Sequence, residues 1–101
     1  MLYTAPAISI GLPTYNRAET LDRAIASALG QTYGNLELIV SDNGSVDATQ
    51  RLCRQWAARD PRVRYLRHES NAGPTSNFNA VISEMRGEYA LLLADDDWLD
   101  P

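Results

Sequence analysis

Apolar and polar positions along this chain switch repeatedly between a strand period and a helix period. Ala7–Leu12 is a short, largely apolar run of strand length, and Pro13, which has no N–H to continue a ladder, is expected to stop it. Leu21, Ala24, Ile25, Ala28 and Leu29 then recur at helical intervals, with Asn16 placed to cap the helix and Glu19 to complete a capping box. Gly30 or Gly34 ends it. Leu36–Ser41 reads as a second strand that runs into the turn-forming Asp42-Asn43-Gly44-Ser45. Asp47 caps a second helix with Gln50 at its third position, Leu52 and Trp56 on its buried stripe and Asp60-Pro61 at its close. Val63–Leu66 is a weaker third strand. Phe78, Val81, Ile82 and Met85 stand at i, i+3, i+4 and i+7, the core face of a third helix, with Gly87 just past its end. Tyr89–Ala94 is a continuous apolar run that reads as a buried parallel strand, and it delivers Asp95, Asp96 and Asp97.

Strands alternating with helices predict an α/β chain: a Rossmann-like parallel sheet with right-handed crossovers and helices on both faces. In such sheets ligands bind beyond the carboxyl ends of the strands, near the point where strand order reverses. Three predicted strands end there in conspicuous polar residues. The 101 residues form one domain, 1–101, with 45% apolar and 22% charged positions, a composition that folds.

Charge narrows the partners. A net charge of -4 argues against nucleic acid and anionic surfaces as bulk partners. All nine basic residues are Arg, so side-chain phosphate contacts must come from guanidinium forks and lysine chemistry is excluded. The single cysteine, Cys53, can form no internal disulfide and falls on an apolar helix face. No apolar run approaches the roughly 20 residues of a membrane span, and no signal peptide is evident, which makes a cytoplasmic location the expectation, with membrane association left to parts of a parent chain.

The triplet Asp95-Asp96-Asp97 is the sharpest chemical feature, because adjacent carboxylates repel unless a cation neutralises them. A hard divalent ion, Mn2+ or Mg2+, takes one or two carboxylates and completes its shell with water and substrate phosphates, which suits a diphosphate site. A solvated turn, or a cap for a helix starting near Trp98, is the alternative. Pro13-Thr14-Tyr15-Asn16 offers a fixed backbone, a hydroxyl, an aromatic ring and an amide against which a planar base could lie; Asp42 could accept from a base N–H. Each of these two exits also reads as an ordinary strand-to-helix turn. Neither the P-loop pattern nor Gly-x-Gly-x-x-Gly is present, and the lone His68 leaves little for a zinc site or a Ser-His-Asp triad.

Ile8-Ser9-Ile10-Gly11-Leu12-Pro13-Thr14-Tyr15-Asn16-Arg17, Gln31-Thr32-Tyr33, Glu37–Asp47 with its Ser41-Asp42-Asn43-Gly44-Ser45, Asn71-Ala72-Gly73, Gly87-Glu88-Tyr89 and Asp95-Asp96-Asp97-Trp98-Leu99-Asp100-Pro101 together resemble the N-terminal half of family 2 glycosyltransferases of the GT-A fold. The resemblance covers almost the whole chain. It implies a glycosyltransferase donor site for a nucleoside diphosphate sugar, often UDP-linked, with inversion at the anomeric carbon and an acceptor that the chain does not name: saccharide, lipid or protein. Thr14 and Tyr15 match positions lining the uracil pocket, Pro13 and Asn16 flank them, Asp42 matches the acid that contacts the base, and Asp95 matches a position near ribose and diphosphate. Asp96 matches the metal-binding acid, with Asp97 beside it.

Three departures from the family pattern stand out: Asn43 where a second Asp is common, Ala94 where many members begin Asp-x-Asp, and Phe78-Asn79 where many have Arg-Asn. The literal spacing falls on Asp95 and Asp97, which leaves the metal ligand open among the neighbours. The family's general base and most of its acceptor pocket come later than Pro101, so the chain reads as truncated, with no catalytic base assignable and transfer by the fragment alone not expected. The rival readings are a non-catalytic nucleotide-binding module and an acidic-cluster phosphotransferase. The latter calls for a nucleophilic Asp at the first strand, where Pro13 stands.

Overall fold

A computed structural model describes residues 6–31 and 34–97. Thr32, Tyr33 and Trp98–Pro101, which carry part of the family-like motifs, lie outside the described residues. In chain order the elements are β1 (Ile8–Thr14), α1 (Ala18–Leu29), β2 (Leu36–Asp42), α2 (Thr49–Arg59), β3 (Val63–Arg67), α3 (Pro74–Ser83) and β4 (Tyr89–Leu92). The sheet is parallel in the order β3-β2-β1-β4. The chain therefore steps outward from β1 to β3 and then returns to the far side of β1, placing the switch point between β1 and β4.

Side-chain alternation divides the sheet into two unlike faces. Ile10, Leu12, Leu38, Val40 and Val63 join Leu21, Ala24, Ile25 and Ala28 of α1 and Cys53 of α2 in an apolar core. On the opposite face, α3 packs on β1 and β2 over Ser9, Gly11, Glu37, Ile39 and Ser41. Gly11 is required there: a Cβ would lie 2.6 Å from Met85 Cε and overlap Val81 Cγ1, so only a glycine lets α3 approach this closely.

The polar half of that face is fully engaged. Glu37 accepts from Ser9 Oγ at 2.6 Å, Arg86 N–H at 2.7 Å and Arg64 Nη1 at 3.0 Å. Burial alone would raise its carboxyl, but these hydrogen bonds together hold it below the usual range. Ser9 Oγ also receives the Gly87 N–H at 2.7 Å, so the turn into β4 is fastened to the first two strands.

Four expectations are corrected. Pro13 does not stop β1, which continues to Thr14 with Pro13 in register with Ser41. Thr14 C=O accepts from Asn43 on the β2 side, so alternation turns Pro13 toward β4, whose pairing with β1 ends at Gly11 and Leu92; no ladder bond is lost. Asn16 is not the cap of α1: it sits at φ 51 and binds the β2–α2 loop instead. The buried face of α3 is Asn77 and Val81, with Phe78 and Ile82 exposed by 40% and 46%. Tyr89–Leu92 is, among the described residues, an exposed edge strand paired with β1 alone, and in the expected run Tyr89–Ala94 only Leu93 is buried. No helix among the described residues is long and apolar enough to cross a membrane.

Candidate functional site

The strand tips of β1, β2 and β4 meet at the switch point through directional polar contacts. Thr14 Oγ1 at the end of β1 donates to Asp95 Oδ2 at 2.9 Å, and Thr20 Oγ1 in the first turn of α1 donates to the Asp95 carbonyl at 2.9 Å. On the other side, Asn16 joins the β2 exit: its N–H donates to Ser45 Oγ at 2.8 Å and its Oδ1 accepts from Val46 N–H at 2.8 Å. Asparagine tolerates the left-handed backbone that this bridging requires.

Asp47 couples the two helices that start here. Oδ2 accepts from Ala18 N–H at 3.2 Å and Oδ1 from Thr49 N–H at 3.0 Å, so one carboxylate serves the first turns of both α1 and α2. Burial raises Asp47, but the hydrogen bonds from Thr49 and Ala18 outweigh it and hold the carboxyl below its ordinary value. The N-cap position of α2 is Ala48 and not the expected Asp47, which stands one residue earlier and accepts from Thr49 N–H, while the same carboxylate reaches the first N–H of α1 from 29 positions away.

A cleft of about 460 Å³ opens between these tips, lined by Pro13, Thr14, Tyr15 and Arg17 from β1 and the turn after it, Asn43 after β2, Asn71, Pro74, Asn77 and Phe78 around the start of α3, and Asp95. Of the residues marked from sequence, Pro13, Thr14, Tyr15 and Asp95 line it. Asn16 braces it from outside. Asp42 does not line it: the residue is fully buried, Oδ1 accepts from Ser45 N–H at 2.9 Å, and Oδ2 accepts from Tyr65 Oη at 2.6 Å with Arg67 Nε 3.9 Å away. Burial, together with the Asp42 contact and charge, pushes the Tyr65 phenol up, so it remains a donor. Asn43, the neighbour that departs from the family pattern, supplies the side chain at that point of the cleft wall.

Arg17, Asn77 and Phe78 line the cleft without having been assigned to the site from the sequence, where Phe78 entered only as a core position and a departure from the family pattern. Arg17 is the only cationic residue lining the cleft among the described residues. Phe78 was placed in the core by helical spacing but lines the cleft. Asn77 left a detectable signal, since asparagine is a poor interior helix residue unless its amide has a specific partner.

Asp96 and Asp97 are exposed on the turn that follows β4, closed by Asp97 N–H to Ala94 C=O at 3.1 Å. Among the described residues no group of three His, Cys, Asp or Glu could hold a metal by itself. The carboxylates of Asp95, Asp96 and Asp97 are therefore not gathered into a ready-made ligand cluster. Oxygen donors of this kind are those that Mg2+ or Mn2+ takes together with water and phosphate, whereas zinc favours nitrogen and sulfur.

The family model described as Glycosyl transferase family 2 matches residues 9–101. The chain is 38% identical to a chondroitin synthase of Escherichia coli over 99% of its own length and 14% of that protein's. It is 36% identical to the GalNAc(5)-diNAcBac-PP-undecaprenol beta-1,3-glucosyltransferase of Campylobacter jejuni, over 93% of the chain and 31% of that protein. Among solved structures, a mannosyltransferase from Pyrobaculum calidifontis in complex with GDP-Man and Mn2+ superposes with a TM-score of 0.86 at 24% identity, covering 97% of this chain and 30% of that one. TarS 1-349 of S. aureus in complex with UDP gives 0.84 at 24% identity over 92% of this chain and 28% of that one. The chain thus spans under a third of each of these four proteins. The superpositions carry the fold, which is GT-A, and the match over residues 9–101 carries the family: this chain belongs to glycosyl transferase family 2.

Proposed function

We propose that the cleft at the switch point is the donor site of a metal-dependent, inverting glycosyltransferase that uses a nucleoside diphosphate sugar, UDP-linked in the first instance. The observation that carries this reading is the Thr14–Asp95 contact, which sets an acidic turn against the cleft wall at the place where parallel sheets bind ligands. Tyr15 and Phe78, both about 40% exposed, give the cleft aromatic walls against which a base can lie. Pro13 and Thr14 hold the floor, Asn16 keeps the two loops together, and Arg17 supplies positive charge toward the diphosphate. Asp42 supports the base corner through its grip on Ser45 N–H and Tyr65.

Asp96 and Asp97 are the residues that would hold Mn2+ or Mg2+. When bound, such an ion neutralises the charge that builds on the departing nucleoside diphosphate. Asp95, fixed by Thr14 and Thr20, orients the turn that carries them. No described residue is assigned as the base that deprotonates the acceptor, and donor binding is the part of the reaction proposed for the described residues.

Isothermal titration with UDP, with Mn2+ and again with EDTA, tests the proposal. Binding that needs the metal, and whose metal dependence disappears in Asp96→Ala, supports it. Affinity that is equal in both buffers rejects the metal assignment, and absence of binding in both rejects the donor site.

A further inference from the structure

Asn77 is 4% exposed, lines the cleft, and carries more hydrogen bonds than a helix-interior amide needs. Its Nδ2 lies 3.0 Å from the Ser41 carbonyl and 3.4 Å from the Thr14 carbonyl, and its Oδ1 lies 2.6 Å from Ser41 Oγ. The amide orientation is fixed by chemistry: two carbonyl oxygens can only accept, so the nitrogen must face them. Ser41 has a single hydroxyl hydrogen, which goes to Asn77 Oδ1. The contact between Ser41 Oγ and His68 Nε2 at 3.0 Å must then be donated by the ring, which places a proton on Nε2.

One side chain of α3 is thus wedged between the last residues of β1 and β2, with His68 after β3 closing the chain of hydrogen bonds. Thr14 is the point of consequence. Its carbonyl receives Asn77 Nδ2 and the Asn43 N–H at 3.0 Å, while its hydroxyl holds Asp95. Where Thr14 stands therefore decides where the acidic turn stands. Asn43 fastens the same wall from the other side, donating Nδ2 to Asn71 Oδ1 at 2.8 Å and to the Gly73 carbonyl at 3.1 Å.

We infer that Asn77 is a positioning residue of the donor site, whose amide sets the place of the Thr14 main chain and through it the Thr14–Asp95 contact. This rests on the donor-site reading only for its consequence in ligand binding; the positioning itself is a property of the free chain. The control is Val81, fully buried on the same helix one turn past Asn77 and absent from the cleft lining, so that Val81→Ala loosens α3 while leaving the amide in place.

The experiment compares Asn77→Ala, Val81→Ala and the wild type at matched global stability, adjusted with urea. In the free chains, amide exchange of Asn43, which donates to Thr14, is expected to be about ten-fold faster in Asn77→Ala than in Val81→Ala, while Leu38, which donates to the Arg62 carbonyl, exchanges alike in both. Equal acceleration at Asn43 in both variants makes Asn77 a packing residue and overturns the inference. In the ligand arm, Asn77→Ala is expected to weaken UDP and Mn2+ binding about ten-fold, with Val81→Ala within about two-fold of wild type. Equal weakening in the two variants overturns the functional consequence. A wild-type chain that binds no UDP rejects the donor-site reading, and the exchange arm still decides whether Asn77 positions Thr14.

Discussion

Thr14 and Asp95 are 81 residues apart in the chain and 2.9 Å apart in space, hydroxyl to carboxylate, across the one place in the sheet where the direction of strand addition reverses. Thr14 is 2% exposed, so its hydroxyl does not face bulk water and its bond to Asp95 is protected from competition. Replacement by the near-isosteric valine removes the donor and leaves a half-buried carboxylate without it. Thr14→Val is expected to lower stability by about 1 kcal/mol, measured by urea unfolding. UDP binding is expected to weaken in parallel; unchanged binding would detach Asp95 from the proposed site.

Gly11 permits the approach of α3 to β1, and its substitution should be felt at the cleft's far wall. Gly11→Ala is expected to cost about 1–3 kcal/mol because a new methyl meets Val81 and Met85. Adding Val81→Ala removes one of the two collisions, so the double variant is expected to be less destabilised than the sum of the single changes. Simple additivity in a double-mutant cycle would contradict the contact.

Glu37 predicts an acid limb. Its folded carboxyl lies below the ordinary 4.5, so the stabilisation it contributes is complete above that pH and is lost as pH falls through the lower folded value. Glu37→Gln should therefore unfold more easily than wild type at pH 7, and the gap should close progressively below about pH 4.5. A gap that stays constant with pH would mean the carboxylate charge is not what holds Ser9, Arg64 and Arg86.

Cys53 is fully buried in the apolar core, and burial, with the nearby Asp42 and Asp47 charges, pushes its thiol up to about 12. At pH 8 a thiol reagent is expected to react with the folded chain only at the rate of opening, and fully in denaturant. Rapid labelling of the folded chain would place Cys53 outside the core.

Much of this was legible in the sequence. The two apolar periods located every described strand and helix, and the polar strand exits at Thr14, Asp42 and Asp95 marked the edge of the sheet at which the cleft opens. What was hidden depends on distant partners. The α1 cap comes from Asp47 and not from the local Asn16, because nothing in an Asn-to-Glu spacing reveals a carboxylate brought in by the next loop. Tyr89–Leu92 looks the same whether helices cover it or not, since an apolar run records hydrophobicity and not the number of neighbours. Phe78 and Val81 share a helical stripe by spacing, yet the polar floor of Ser41 selects Asn77 to face the sheet, rotating Phe78 toward the cleft. Asp42 was read as open to a ligand, whereas Tyr65 and Ser45 occupy its oxygens, and no local pattern announces a tyrosine 23 residues on.

Paramagnetic broadening by Mn2+ in amide NMR spectra reads whether a divalent ion joins a nucleoside diphosphate at the turn after β4, as proposed. With UDP present, substoichiometric Mn2+ is expected to broaden Asp96, Asp97 and Thr14 strongly and to spare Glu37 and Gly87 at the opposite end of the sheet. Broadening centred elsewhere, or none while UDP is bound, would contradict it.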